Sequence, residues 1–475
     1  MHKIGLRKLA TNYIFLSGGE ATSKILTFAA FTFLARVLGP TNFGTLEFTL
    51  ALVIFFTLSI DLGLGSYGAR EAAKDPSRIG ELNQQVTSLR FLFAGVAFLV
   101  LLFLATVLDM AQPARMLMLF YGLTLFGIPF FHQWIYQGFE KMQWVGLGSV
   151  LRYGIFALGV FLFVRKGTPL WVVGLAEMAA VAGFVLYNLF ISRTQFGLPW
   201  PRPVFRPSRL MPSLRQALPI GLSELSWAFT FYFATVMLGI VVGGEALGWF
   251  SAAHRCIMAL HTFVWLYFFN LLPSISRAAL EPLEQLQELM RRSLRGTLWL
   301  AVFIGLTGTL LARPLITIVF GQRFEGAGGI FQILVWVLAV TLWSGHYRYA
   351  LIGFSQQKLE FAASASAGLT SVVSGIVLIP RFGATGAAVS LLGAAVVHGG
   401  LAYLFVRRRI VHIPFGKHAL RPLGTGLVTV AVFFLLLPAG LWVASVGSIA
   451  LYGIAAAWLE PGMRGTLAMA LARNP

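Results

Sequence analysis

Ionisable residues inside long apolar segments are the residues of this sequence that are best suited to bind ligands or transfer protons. Glu20 and Lys24 are spaced i,i+4 near the N-terminus, in the order that favours an intrahelical ion pair. Glu224 lies in a comparable segment, but Ala228 follows it one turn later, so it has no local partner. A carboxylate in such surroundings must find a cation on another segment or hold a proton. Glu20, Lys24 and Glu224 are therefore candidates for proton or cation coupling.

Three arginines also interrupt apolar segments, namely Arg152, Arg255 and Arg348. None of them has an acidic residue three or four positions away. A guanidinium can hold a phosphate through two parallel hydrogen bonds. It can also pair with an acid on another helix, for which the candidates are Glu47, Glu177 and Glu224. The sequence leaves both alternatives open, either cations that line a substrate cavity or structural ion pairs.

Two histidines accompany one of these arginines. His254 and His261 lie at helical spacing on one face, and Arg255 is beside the first of them. Two histidines without a third ligand nearby do not make a metal site, so no metal is predicted. We expect this face, together with Glu47 and Glu177, to line a cavity.

The motifs of common enzymes are missing or misplaced in this sequence. Residues 63–68 fit the GxGxxG pattern of dinucleotide binding, but they follow an apolar segment instead of a strand, which favours a flexible helix end. The sequence has no GxxxxGK[ST] phosphate loop and no HExxH motif. No long loop interrupts the apolar segments, which argues against a membrane glycan ligase or polymerase. We therefore expect no enzymatic activity and no cofactor.

The composition identifies the class of protein. The 475 residues are 57% hydrophobic and only 11% charged, whereas soluble domains carry roughly 25% charged residues. The formal net charge of +19 could suggest a nucleic-acid partner. However, Lys and Arg lie mostly in short loops between apolar segments, which is the distribution typical of membrane topology. The sequence therefore predicts an integral membrane protein that spans the lipid bilayer and does not bind nucleic acid.

A spanning helix needs about 20 mostly apolar residues, and about fourteen segments qualify. The sequence thus predicts an all-α membrane protein with spans at 12–35, 43–64, 90–108, 116–136, 145–164, 169–191, 217–241, 246–272, 296–320, 327–352, 360–379, 384–406, 423–437 and 440–458. The amphipathic stretch 281–295 is expected to lie flat at the membrane surface. Most of the 36 Lys and Arg residues fall in loops on the side of the N-terminus, which predicts that the N-terminus is cytoplasmic.

The two halves of the chain also resemble each other. Aligning Leu34–Phe48 with Leu238–Ala252 places Gly39 on Gly243, Gly44 on Gly248 and Glu20 on Glu224. Such a duplication of six spans predicts two parallel lobes with the substrate path between them. The predicted organisation is an N-terminal six-helix lobe (1–191), a cytoplasmic linker (192–216), a second six-helix lobe (217–406), and a basic loop with helices 13 and 14 (407–475).

The run FLARVLGPTNFGTLEFTLALVIFFTLSIDLGL, followed by Ala-Arg-Glu-Ala-Ala, resembles the N-terminal signature of bacterial polysaccharide exporters. These are the O-antigen and capsule repeat-unit flippases of the multidrug/oligosaccharidyl-lipid/polysaccharide superfamily. The resemblance implies alternating-access translocation of undecaprenyl-pyrophosphate-linked oligosaccharide across the bacterial inner membrane, with polysaccharide assembly proteins as partners. A cation-coupled multidrug exporter of the same superfamily is the alternative. The sequence does not identify the glycan, the coupling ion or the oligomeric state.

Overall fold

The structure is a computed structural model, and it describes residues 6–107, 112–200, 202–279, 282–413 and 415–460. Every regular element in these ranges is an α-helix or a short 3₁₀ turn, which confirms the predicted all-α class. The chain divides into two compact units, Met1–Gly248 and Trp249–Pro475.

The first unit contains eight described α-helices and the start of a ninth. They are α1 Leu6–Asp61, α2 Leu64–Lys74, α3 Ile79–Val107, α4 Gln112–Thr124, α5 Gln133–Gly138, α6 Met142–Phe163, α7 Trp171–Phe196, α8 Pro207–Val241 and α9 Gly244–Ala278. Helix α9 continues into the second unit. The other described helices of that unit are α10 Leu283–Leu310, α11 Ala312–Phe320, α12 Ala327–Gly353, α13 Gln357–Arg409, α14 Phe415–Leu436 and α15 Leu441–Leu459. Four 3₁₀ turns, at Pro76–Arg78, Leu125–Phe130, Gln322–Phe324 and Leu437–Ala439, connect some of these helices.

Twelve helical segments of the described chain are long and apolar enough to cross a membrane. Two of these segments are interrupted by a non-helical glycine, one at Gly39 in α1 (φ 77°) and the other at Gly383 in α13 (φ 54°). A straight helix of the 56 residues of α1 would extend about 84 Å, far more than the roughly 30 Å of a bilayer core. The count of fourteen treats each side of these two breaks as a separate span, and it stays a prediction.

The expectation of a flat surface helix at 281–295 is wrong. Helix α10 runs without interruption from Leu283 to Leu310, through the amphipathic stretch and into the apolar one. Its 28 residues give a length of about 42 Å, so its charged first turns can extend beyond the hydrocarbon core. The amphipathic pattern therefore marks the polar end of a long helix.

Glycines that the sequence repeat aligns meet in the first unit. Gly39 lies at the break in α1 and Gly243 lies between α8 and α9, and both have positive φ, 77° and 62°. A Cβ atom on Gly248 would lie 2.0 Å from the carbonyl oxygen of Pro40, and one on Gly44 would lie 2.7 Å from the backbone nitrogen of Gly248. The two equivalent turns thus pack backbone against backbone, a contact that only glycine permits.

The two units do not follow the predicted lobes. Helix α8 packs against α1, α2 and α3 within the first unit, whereas the sequence assigned 217–241 to the second lobe. The predicted lobes follow the repeat, and the units follow the density of contacts. The lobe boundaries stay a prediction.

Candidate functional site

The end of α1 in the first unit carries an acidic side chain at a sharp reversal of the chain. Asp61 is the last residue of α1, and the next two residues, Leu62 (φ 43°) and Gly63 (φ 77°), turn the backbone into α2. The Gly65 backbone N–H donates to Asp61 Oδ1 at 3.2 Å, so the carboxylate satisfies a free amide in the first turn of α2. This turn holds Asp61 in place.

Arg90 of α3 is the partner of Asp61. Its side chain is 5% exposed, and its Nε donates to Asp61 Oδ1 at 2.9 Å, while Nη2 bonds to the same oxygen. Nη1 donates to the carbonyl oxygen of Phe131 at 3.0 Å. A guanidinium removed from water needs such partners, because an unpaired buried charge costs several kcal/mol, about 3–5 when one partner is lost.

Glu224 of α8 brings a second carboxylate to this pair. It lies beside Ser66 and within electrostatic range of Asp61 and Arg90. Gly221, one turn earlier on α8, makes this approach feasible, because a Cβ atom there would lie only 2.4 Å from the carbonyl carbon of Leu62. We call Asp61, Arg90 and Glu224 the acidic cluster. It contains one more carboxylate than its arginine can neutralise, which suits it to a cation.

Arg152 of α6 lies in the same unit and pairs with a predicted acid. Its Nη2 donates to Glu177 Oε1 of α7 at 2.9 Å. The guanidinium also lies 5.3 Å from the ring of Phe131, 5.4 Å from that of Tyr153 and 5.8 Å from that of Phe184. The structure thus shows the ion-pair alternative for Arg152, reinforced by cation–π contacts.

Glu20 and Lys24 do not form the ion pair that their spacing favours. The Ser149 hydroxyl of α6 donates to Glu20 at 3.5 Å, and Lys24 is exposed. Between these two described residues no ion pair within 4.0 Å occurs. Helix α1 packs closely on α6 here, and a Cβ atom on Gly19 would lie 2.5 Å from the Cα of Gly146. This packing places the hydroxyl against the acid.

The second unit contains a cluster with a different charge balance. Arg348 Nε of α12 lies 3.1 Å from Glu360 Oε1 of α13, and His398 Nε2 lies 4.0 Å from the same oxygen. Glu360 is buried and accepts a hydrogen bond from Ser364 at 2.9 Å. His261 of α9 is within electrostatic range of Arg348. We call Arg348, Glu360, His261 and His398 the basic cluster.

The remaining predicted site residues lie on α1 and α9. His254 is buried, stacks on Phe250 with ring centroids 5.7 Å apart, and is within electrostatic range of Arg255 and His261. Arg255 is half-buried and Glu47 is buried. The predicted cations are therefore distributed, with Arg152 in the first unit and Arg255 and Arg348 in the second. That they line one cavity stays a prediction.

Four members of these clusters were missed at the level of sequence. Arg90 is the first residue of the predicted span 90–108, a position typical of a loop charge, yet α3 starts eleven residues earlier at Ile79. Asp61, Glu360 and His398 all lie inside predicted spans. Each of these three could have been found by the rule that ionisable residues in a span are candidates for function.

Comparison with known proteins identifies the family. The family model described as polysaccharide biosynthesis protein matches residues 9–279, more than half of the chain. The chain belongs to the polysaccharide biosynthesis protein family. The matched residues include all three members of the acidic cluster as well as Arg152 and Arg255. This assignment confirms the resemblance found in the sequence.

This polysaccharide biosynthesis protein also has relatives over nearly its whole length. A curated protein of Escherichia coli (strain K12), named "Putative O-antigen transporter", is 24% identical over 417 residues, covering 86% of this chain and 98% of that protein. The structure of the lipid II flippase MurJ in an inward closed conformation has a TM-score of 0.76, with 14% identity and coverage of 94% and 98%. An inward-facing multidrug resistance MATE family transporter of the MOP superfamily has a TM-score of 0.63, with 17% identity and coverage of 82% and 94%. The protein therefore has the fold of these membrane transporters.

Proposed function

We propose that this protein is a flippase that moves undecaprenyl-pyrophosphate-linked oligosaccharide across the bacterial cytoplasmic membrane by alternating access, for surface polysaccharide biosynthesis. The observation that carries the proposal is the basic cluster, a set of ionisable groups on helices that are otherwise apolar. A charge at the centre of a bilayer costs about 2.5 kcal/mol or more, so such groups usually face a protein interior or a wet cavity. Family membership and the name of the Escherichia coli relative support the same substrate class.

The geometry of Arg348 suits an anionic headgroup. Arg348 Nε lies 3.1 Å from Glu360 Oε1, an oxygen that also accepts a hydrogen bond from Ser364, and among the described residues Nη1 and Nη2 make no hydrogen bond. Those two nitrogens can donate to a pyrophosphate in place of the water that it leaves. His261 and Arg255 place two further basic side chains on the second unit's part of α9. The substrate's lipid tail would stay in the bilayer while protein groups accommodate its charged head.

The acidic cluster is suited to bind a cation, whereas Arg348 is suited to bind an anion. Asp61 and Glu224 together exceed the charge of Arg90, so this part of the first unit can take up a cation during transport. This same feature, with the likeness to a multidrug transporter fold, also favours the second candidate, a cation-coupled multidrug exporter. In either case the chain acts as a transporter with no catalytic role and no cofactor. We further propose a cytoplasmic N-terminus and contacts with polysaccharide assembly proteins.

Deletion of the gene, followed by analysis of lipid-linked glycans, tests the proposal. We expect one undecaprenyl-pyrophosphate-linked glycan to accumulate on the cytoplasmic face, and the intact gene to reverse this. Arg348→Ala should fail to reverse it. Arg381→Ala, which removes an exposed arginine on α13, should succeed at the same membrane abundance. Unchanged glycans together with new sensitivity to cationic drugs would instead support the multidrug exporter.

A further inference from the structure

A shallow pocket lies at the C-terminal end of α7 in the first unit, and one of its lining residues, His132, is within electrostatic range of Arg90. It is lined by His132 from the turn before α5, by Leu189, Ser192 and Arg193 of α7, and by Pro199 and Trp200 that follow. Its empty space is about 210 Å³, a volume that includes open solvent. Neither transport nor cation coupling, as proposed above, uses these residues.

His132 gives this pocket an unsatisfied polar group. The residue is 1% exposed, its Nδ1 lies 2.7 Å from Ser192 Oγ, and its backbone N–H donates to Asn188 Oδ1 at 3.3 Å. Its Nε2 is buried and has no hydrogen-bond partner among the residues that the structure describes. Leaving such a group without a partner is destabilising, so a polar ligand at this nitrogen would be stabilising.

The surrounding hydrogen bonds indicate which kind of ligand fits. The nearest acceptor for the Ser192 hydroxyl is His132 Nδ1, because the Tyr136 hydroxyl already donates to the Asn188 carbonyl at 3.1 Å. If Ser192 donates to Nδ1, then Nε2 carries the hydrogen and is a donor. Arg193 adds a guanidinium to the same pocket. Two donors of this type match the oxygen atoms of a phosphate group.

The outer surface of α7 indicates that the phosphate belongs to a lipid. Leu186 and Phe190 precede Arg193 by about two turns and one turn on the same face, and they are 66% and 65% exposed. Trp200 is 59% exposed, and tryptophan is typical of the interface between membrane and water. A free phosphate would use the polar end of this surface alone, whereas a phospholipid would cover the apolar residues as well.

The pocket lies at the C-terminal end of α7, where the helix dipole would repel an anion, and neighbouring groups offset this repulsion. The C-terminal end of a helix carries partial negative charge. Here the backbone N–H of Gly197 donates to the carbonyl of Arg193 at 3.2 Å, and that of Leu198 donates to the carbonyl of Ser192 at 3.1 Å. These carbonyl oxygens are thus already paired, and the Arg193 guanidinium supplies the compensating charge.

We propose that this pocket binds the phosphate of an anionic phospholipid, with Arg193 and His132 as its ligands and Leu186 and Phe190 beneath an acyl chain. The positive charge of the nearby segment 192–216 raises the local concentration of such lipids. The site therefore recognises a lipid of the membrane itself, whatever substrate the protein transports.

Native mass spectrometry of the purified full chain tests this site, with separate titrations of phosphatidylglycerol, phosphatidylcholine and inorganic phosphate. We expect saturable binding of phosphatidylglycerol in preference to phosphatidylcholine. Arg193→Gln should weaken it about tenfold, the loss expected for one hydrogen bond to a charged group. Arg209→Gln removes an exposed arginine of the same basic region outside the pocket, and should weaken it no more than about fivefold.

Ser192→Ala is the second variant. It removes the hydroxyl that bonds to His132 Nδ1 and fixes the tautomer, and it keeps the buried ring. It should reduce the preference for phosphatidylglycerol while the thermal midpoint of unfolding stays within a few degrees of the parent. Equal losses in Arg193→Gln and Arg209→Gln would overturn the proposal, since they would show only a general surface attraction. So would binding of inorganic phosphate without saturable binding of phosphatidylglycerol.

Discussion

Replacement of Arg90 by alanine is the most informative perturbation of the acidic cluster. The change removes both hydrogen bonds to Asp61 and the one to the carbonyl oxygen of Phe131. It also leaves Asp61 and Glu224 facing each other without a cation. We expect Arg90→Ala to lower the free energy of unfolding by about 3–5 kcal/mol, the usual cost of removing one partner of a buried ion pair.

The two acids should respond differently, because they share one guanidinium. In Asp61→Asn the arginine keeps Glu224 as a nearby carboxylate. The free energy of unfolding should therefore fall by less, about 1–3 kcal/mol. Glu224→Gln removes the surplus negative charge and leaves the Asp61–Arg90 pair intact. That variant should be as stable as the parent protein or more stable.

A thiol-reactive fluorogenic dye can compare the unfolding temperatures of these three purified variants. The sequence has one cysteine, Cys256, which is half-buried and would react as the protein unfolds on heating. Arg78→Ala is the matched control, since Arg78 forms an exposed pair with Glu81 at 3.4 Å and such pairs contribute at most about 1 kcal/mol. The reasoning fails if Arg90→Ala and Arg78→Ala unfold at the same temperature, or if Glu224→Gln destabilises as much as Asp61→Asn.

Three further predictions concern packing, substrate binding and topology. Gly221→Ala should lower the unfolding midpoint because its Cβ would lie 2.4 Å from Leu62, whereas Gly154→Ala, with open space around it, should leave it unchanged or raise stability by up to about 1 kcal/mol. Arg348→Lys keeps the charge but loses the planar fork, so glycan export should fall less than in Arg348→Ala and more than in Arg381→Ala. After replacement of Cys256, cysteines at Ser208 and Glu245 should react with an impermeant thiol reagent from opposite sides of the membrane; reaction of both from outside would contradict the predicted topology.

The sequence could predict the features that depend on the free-energy cost of placing each residue in the hydrocarbon core of the membrane. The helical class, the positions of the apolar segments and their loops all follow from local composition, because each apolar run must satisfy its own backbone hydrogen bonds. The repeat alignment also located Gly39 and Gly243 as equivalent, and both have positive φ. The amphipathic pattern at 281–295 misled, because it gives no information on whether a helix continues into the membrane.

The composition of the clusters was decided by the tertiary structure. Spacing i,i+4 brought Glu20 and Lys24 near each other on one helix, but α6 supplied Ser149 to the acid instead. Asp61 meets Arg90 because α1 ends beside α3, and these residues are 29 positions apart in the chain. Such pairings depend on which faces of two helices meet, and close contacts at small residues such as Gly19 and Gly221 set those faces. The sequence by itself thus determined that this is a helical membrane protein with charges inside its spans, and the packing of the helices determined which charges neutralise one another.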